Sequence, residues 1–172
     1  MYFRLTQKLA LKIKETDPLQ TLDIHENPLA DWSATLFTAN RAQYVLLCNT
    51  ATLYSCLFYG AGINSDDRFI RAAIEAIRES MEVNEFLNRV YREKIAPHTG
   101  NIFFGKALNR SATGSMNEQV NAAKFHLQDN EKAPYQVAEL LNRNLLSYLG
   151  KKKKDYGHPR DAFLELCKGQ DL

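Results

Sequence analysis

The sequence predicts one compact α+β domain, in which an antiparallel sheet of about four or five strands is packed by helices. Three observations lead to this fold class. The chain has 172 residues, the length of one ordinary domain. Short β-rich segments with tight turns follow residue 31, and segments with helical periodicity come later. Neither an internal repeat nor a long linker divides the chain, so the predicted domain spans residues 1–172.

Composition and charge indicate a globular protein and do not point to a membrane protein or a metalloprotein. Hydrophobic residues make up 45% of the chain and charged residues 24%, as is usual for a globular protein. A net charge of +2 does not require a nucleic acid, which remains a possible partner, or an anionic membrane. The three cysteines form no C-x-x-C pair, and no ligand spacing for a metal occurs. Without a signal peptide or a run of about 18 apolar residues, we expect a cytoplasmic protein with no membrane contact, cofactor or metal.

The predicted strands lie mainly in the first half of the chain. A strand over Met1–Leu5 precedes a helix that Thr6 caps and that continues to about Lys14. Three β-rich segments then form an antiparallel meander, with a hairpin turn at residues 39–42. These strands are Trp32–Thr38, Gln43–Asn49 and Thr52–Tyr59. Because both faces of the middle strand are apolar, we expect layers on both sides of the sheet.

Helices and one further strand fill the second half. Helical periodicity runs from Ser65 to Ala96 with a break near Val83, and Pro97 ends it. A strand over Ile102–Leu108 is expected to join the sheet. Ser115 and Glu118 form an S-x-x-E capping box, which predicts a helix from Ser115 to about Gln128. The last two predicted helices run from Pro134 to Leu149 and from Pro159 to Lys168.

Several motifs resemble those of a bacterial or phage domain family of unknown function. They are Thr6-Gln7-Lys8-Leu9, Leu36-Phe37-Thr38-Ala39-Asn40-Arg41-Ala42-Gln43-Tyr44, Asn49-Thr50-Ala51-Thr52-Leu53-Tyr54-Ser55 and the segment from Leu108 to Asn117. The resemblance covers nearly the whole chain and implies a single domain. It implies no activity, cofactor or catalytic residue.

The segment from Lys106 to Ser115 is the main candidate for a binding site. Two cations, three hydroxyls and a glycine lie from the end of a predicted strand to a predicted helix start. Unpaired amides and the helix dipole favour an anion there, so we expect a small anionic, nucleotide-like ligand. The alternative is a structural loop before a solvated helix face. The candidate ligand-binding residues are Arg41, Lys106, Asn109, Arg110, Ser111, Thr113, Gly114, Ser115, Asn117, Asn121 and Lys124.

Three functions stay open at this point. The preferred one is non-enzymatic binding or sequestration of the anion, as in a phage or plasmid counter-defence protein. The second is a phosphodiester-acting enzyme with His98 or His126 as acid and base and Arg110 or Lys106 stabilising charge. The third is a protein-binding inhibitor or antitoxin module.

Two other segments are assigned simpler roles. Residues 60–65 depart from a dinucleotide fingerprint at Ser65 and are predicted to form a plain turn. The run Lys151–Lys154 is predicted to be a solvated turn, with contact to phosphates as the alternative.

Overall fold

The computed structural model describes residues 1–15, 17–128, 131–149 and 156–169. The predicted lysine run, residues 151–154, lies outside these ranges. The described strands are β1 (Tyr2–Leu5), β2 (Asp31–Ala39), β3 (Ala42–Asn49), β4 (Ser55–Tyr59) and β5 (Phe103–Gly105). The described α-helices are α1 (Gln7–Lys12), α2 (Asp66–Met81), α3 (Glu85–Val90), α4 (Arg110–His126), α5 (Pro134–Leu141) and α6 (Pro159–Gly169).

The strands form one mixed sheet in the order β4-β3-β2-β1-β5. Strands β2, β3 and β4 pair antiparallel, which confirms the predicted meander. Strand β1 pairs parallel with both β2 and β5, which the sequence did not predict. The predicted strand over Ile102–Leu108 joins the sheet but is shorter, covering Phe103–Gly105. Hairpin spacing predicts antiparallel neighbours only, whereas β1 and β5 reach their partners through long connections.

The β2–β3 hairpin turns on two residues with left-handed backbone. Asn40 has φ of 42° and Arg41 has φ of 64°. The flanking residues Ala39 and Ala42 pair across the two strands. Two consecutive residues with positive φ match the right-handed twist of a tight hairpin, so this turn forms where it was predicted.

Helices cover both faces of the sheet, as the apolar pattern of β3 predicted. Alternate residues of β2 point to opposite sides. On one side Trp32 and Ala34 pack with Phe69 of α2 and Phe163 of α6. On the other side lies a second apolar cluster built from the sheet, α4 and α5, containing Phe37, Tyr44, Leu46, Leu57, Met116, Val120, Val137 and Leu141.

The long helical region is divided as predicted. The hydroxyl of Ser65 accepts from the Arg68 amide and caps α2, and Asn84 caps α3 by accepting from the Leu87 amide at 2.9 Å. A π-helical turn and a 3-10 turn follow α3 and end at His98. None of the described helices combines the length and the apolar character of a transmembrane span.

The start of α4 and the end of α5 differ most from the prediction. Helix α4 begins at Arg110, five positions before the predicted cap, because the Asn109 side chain accepts from the Ala112 amide at 2.8 Å. Ser115 is therefore inside the helix, and its prediction as N-cap is wrong. Helix α5 ends at Leu141 instead of Leu149. Asn142 follows α5, and its side chain bonds to the backbone of Ser55 in β4. A turn begins at this residue.

A buried ion pair joins β1 to β2. The Arg4 guanidinium donates to both carboxylate oxygens of Asp31, at 2.8 and 2.7 Å, and both residues are almost fully buried. Arg4 also donates to the carbonyls of Leu22 and Asp23, and Thr50 donates to Asp31 at 2.8 Å. The remaining polar groups of this buried pair are thus satisfied.

Candidate functional site

The sequence-predicted ligand residues lie mostly along the outer side of α4. Arg110, Asn117, Asn121 and Lys124 are exposed and share one stripe of this helix, about 21 Å long at 1.5 Å per residue. Ser111 and Gly114 are exposed beside them, and Thr113 is half-buried. Ser115 is only 7% exposed and lies on the buried side. Lys106 is exposed ahead of the helix, and the Asn109 side chain is used as its cap.

The other sequence candidates lie elsewhere. Arg41 is exposed at the β2–β3 turn. The His98 ring lies 5.2 Å from the ring of His25, a residue that the sequence analysis did not single out. His126 is the last residue of α4, about 24 Å along the helix axis from Arg110. This separation keeps His126 and Arg110 from acting on the same phosphate.

A large groove lies along β4, which is the edge strand on the opposite side of the sheet from β5. Its volume is about 670 Å³, which is within the range of ligand sites. The edge strand β4 forms its floor, and α2 and α5 form its two walls. We call it the β4 groove. None of the sequence-predicted ligand residues lines it.

Small and apolar side chains line most of the β4 groove. Ala72 and Ala76 of α2 and Ala138 of α5 leave space between the two helices. Val83 and Tyr135 stand at the rim, and each is 65% exposed. Exposed apolar side chains beside a concave surface are typical of a binding site.

The floor presents backbone hydrogen-bonding groups to the groove. In an antiparallel pair, alternate residues of each strand bond to the partner. The bonds that flank β4 set this alternation: the Asn49 amide donates to the Tyr54 carbonyl at 2.8 Å, and the Gly60 amide donates to the Gln43 carbonyl at 2.7 Å. The amide and carbonyl of Ser55, Leu57 and Tyr59 therefore point away from β3. The outward groups of Leu57 have no protein partner among the described residues.

Asn142 covers one end of this floor. Its side-chain oxygen accepts from the Ser55 amide at 2.6 Å, and its side-chain nitrogen donates to the Ser55 carbonyl at 2.9 Å. The Asn142 side chain thus satisfies the two outward backbone groups of Ser55, to which no neighbouring strand of the described chain bonds. The same end is fixed to the other wall by Tyr54, whose hydroxyl donates to the Ser80 carbonyl of α2 at 3.2 Å.

Two arginines mark the Ser55 end of the β4 groove. Arg143 directly follows Asn142, and the Arg160 amide donates to the Asn142 carbonyl at 3.1 Å. Both arginines are exposed and line the groove. In the described parts of the chain, neither guanidinium donates a hydrogen bond or joins an ion pair. This end of the groove therefore offers two cations that have no ion-pair partner within the described ranges.

The carboxylates of the groove are arranged differently. Glu75 is paired with Arg78, which donates to it at 3.0 Å. Burial is the main cause of the raised pKa of the Cys56 thiol in the floor, and the charge of Glu79 on the α2 wall raises it further. Glu139 lies on α5, one turn before Arg143. The groove therefore carries charges of both signs, and Arg143 and Arg160 are the positive ones.

The described lining of the groove provides neither a thiolate nor an imidazole. Burial raises the pKa of Cys56 to about 12, so its thiol stays protonated near neutral pH. Burial also raises the pKa of the Tyr54 hydroxyl. The described lining contains no histidine, and the described residues contain no cluster of three or more metal-ligating side chains. The carboxylates of Glu75, Glu79 and Glu139 also line the groove, so this arrangement can bind a ligand but offers it neither a thiolate nor an imidazole within the described lining.

Comparison of the sequence with models of known protein families identifies the family of this chain. Residues 2–162 match the family described as Domain of unknown function (DUF6933). The chain belongs to this family. DUF6933 membership agrees with the resemblance found in the motifs and with one domain over nearly the whole chain. A search of curated proteins found no match, and neither did a search of solved structures.

The β4 groove was missed because its signal is not local. Its parts come from β4, α2, α5 and α6, and Ser55 and Asn142 are 87 positions apart. The available hint in the sequence was the small side chains of Ala72, Ala76 and Ala138 within two predicted helices.

Proposed function

We propose that this DUF6933 protein is a non-enzymatic binding protein that holds an elongated, partly apolar anion in the β4 groove. One observation carries the proposal: Arg143 and Arg160, whose guanidiniums have no hydrogen-bond or ion-pair partner among the described residues, lie at one end of a largely apolar groove. Apolar walls supply the area that favours ligand burial, and a pair of arginines supplies charge-assisted hydrogen bonds to an acid group. The protonated Cys56 thiol and the absence of histidine in the described lining favour binding over catalysis.

This proposal keeps the ligand class predicted from the sequence, a small anion, and moves its site. The three buried free cysteines are compatible with the predicted cytoplasmic setting. Sequestration of a signal molecule by a phage- or plasmid-borne protein would need only such non-enzymatic binding. A nucleotide-like ligand at Lys106 and Arg110 is the competing proposal.

A fluorescent anion tests the two sites against each other. We would titrate 1-anilinonaphthalene-8-sulfonate, an aromatic sulfonate, into the native protein and compete it with decanoate, AMP and cyclic AMP. Arg143→Gln and Arg160→Gln should each weaken dye and decanoate binding about tenfold or more, since hydrogen bonds to charged groups contribute about 1.5–3 kcal/mol. Ala76→Phe should fill the groove and abolish binding.

The matched control is Arg110→Gln, an exposed arginine outside the groove. It should leave dye and decanoate affinity unchanged. The proposal fails if Arg143→Gln and Arg160→Gln bind the dye like the wild type. Displacement by a nucleotide that Arg110→Gln alone abolishes would favour the site at Lys106 and Arg110.

A further inference from the structure

We infer that the ligand of the β4 groove is the C-terminal segment of a partner polypeptide, which adds to β4 as an antiparallel strand and places its terminal carboxylate at Arg143 and Arg160. This inference rests on the proposed function and names the ligand's chemical class. It follows from three features of the groove: the outward backbone of its floor, the position of Asn142 and the position of the two arginines.

The floor is suited to a polypeptide backbone. Leu57 and Tyr59 direct their amides and carbonyls away from β3, so they present a ladder of alternating donors and acceptors. An extended chain laid along β4 satisfies these groups, as in strand addition at an exposed sheet edge. A fatty acid or an aromatic anion satisfies none of them.

The walls are suited to the side chains of such a strand. Successive residues of an added strand point to opposite faces of the sheet. One set would point toward Ala72 and Ala76 of α2, and the other toward Ala138 of α5. Because these wall residues are small, apolar side chains of the peptide have room there. Val83 and Tyr135 at the rim extend the apolar contact.

Asn142 determines where the added strand must stop. Its side chain already occupies both outward backbone groups of Ser55, so a peptide can pair at Leu57 and Tyr59 but not continue to Ser55. The chain end that stops at this point meets Arg143 and Arg160. A carboxylate is the terminus that these cations recognise, and Asn142 therefore selects a C-terminus over an internal segment.

The strand direction follows from the same contacts. Strand β4 runs from Ser55 to Tyr59, and the arginines are at its Ser55 end. A peptide whose C-terminus reaches that end runs against β4, so the pairing is antiparallel. Glu79 on the α2 wall disfavours a second acidic group close to the terminus, which predicts apolar or hydroxyl side chains in the last positions.

The experiment uses the full chain and a defined peptide pool. The pool contains acetylated hexapeptides built from Val, Ile, Leu, Thr and Phe, once with a free C-terminal carboxylate and once with a C-terminal amide. We expect selected free-acid peptides to bind and the matching amides to bind at least tenfold more weakly. In a double variant, Arg143→Gln with Arg160→Gln, the free acid and the amide should bind equally.

Amide hydrogen exchange locates the peptide backbone. The Leu57 amide should become protected when the selected peptide binds, while the Phe58 amide, which already bonds to β3, should change little. Methylating alternate peptide nitrogens should abolish binding in one register and have little effect in the other. Glu79→Gln, the control on the opposite wall, should preserve or strengthen binding of the free acid.

Each alternative outcome is decisive. If no free-acid peptide binds, or if acid and amide bind equally to the wild type, the inference is wrong. If the aromatic sulfonate still depends on Arg160 in that case, the proposed function stands without it. Protection of Leu57 that rises with protein concentration and without peptide would assign the groove to a second copy of this chain and overturn the inference.

Discussion

The side-chain amide of Asn142 pairs with both outward backbone groups of Ser55, at 2.6 and 2.9 Å. This contact closes one end of the exposed edge of β4 and ties α5 to the sheet. Asn142 is only 6% exposed, so its amide has little access to water. A side chain at the end of α5 thus makes the two backbone hydrogen bonds that a neighbouring strand would make to Ser55.

Replacing Asn142 by Leu should destabilise the protein by about 2–4 kcal/mol, because two buried backbone groups of Ser55 lose their partners. Chemical denaturation measures this loss, and exchange of the Ser55 amide should accelerate. Asn117→Leu, at an exposed position of α4, is the matched control and should change stability by less than about 0.5 kcal/mol. Equal effects of the two substitutions would contradict the role assigned to Asn142.

Replacing Arg4 by Met should destabilise the protein by about 3–5 kcal/mol, since it leaves the buried Asp31 carboxylate without its cation. Adding Asp31→Leu to this variant should recover part of the loss, because the uncompensated charge is then gone. A double-mutant cycle measured by urea denaturation checks the coupling. Additive losses would show that the two residues act independently.

Asn109→Ala should cost about 1 kcal/mol of stability because the α4 cap is lost. Ser115→Ala should cost less than about 0.5 kcal/mol, since Ser115 is in the helix interior and Ala is the better helix former. Thermal or chemical unfolding of the two variants under identical conditions compares them. A larger loss for Ser115→Ala would restore the helix start that the capping box predicted.

Acidification should weaken the fold through His25. Its pKa is lowered chiefly by burial, and also by the charge of the chain's terminal amine and by His98, against a smaller opposing effect of Asp31. The unfolded chain therefore binds this proton more readily than the folded one. The contribution of His25 to stability is complete above its ordinary pKa of about 6.5 and is lost as the pH falls toward the lowered folded value.

Denaturation midpoints measured between pH 7.5 and pH 5 check this dependence. His25→Gln should reduce the slope across that range. A slope that survives His25→Gln unchanged would assign the dependence to another group.

The elements that the sequence predicted correctly are those with local causes. The β2–β3 hairpin depends on a two-residue turn and on β-rich flanks, all within residues 31–49. The break before α3 depends on Asn84 and the amides just after it. Backbone preferences and capping bonds act over a few positions, so a single sequence carries enough information to place them.

The start of α4 shows how two local signals compete. Asn109 and Ser115 are both suitable caps, and Gly114 made the intervening segment resemble a loop. The structure has the earlier start, which turns Ser115, Met116 and Gln119 toward the protein interior. Packing of this face against the sheet and α5 favours the earlier of two locally acceptable helix starts. This tertiary packing energy does not show in the local capping pattern.

The binding site depends on contacts between distant parts of the chain. One α+β domain with two covered sheet faces follows from length and apolar periodicity, because every such pattern must be buried somewhere. The parallel pairing of β1 with β2 and β5 and the meeting of Ser55 with Asn142 follow from no local pattern. The β4 groove arises because α2 and α5 pack on opposite faces of the sheet and leave its edge open, a geometry set by the summed packing of the whole domain.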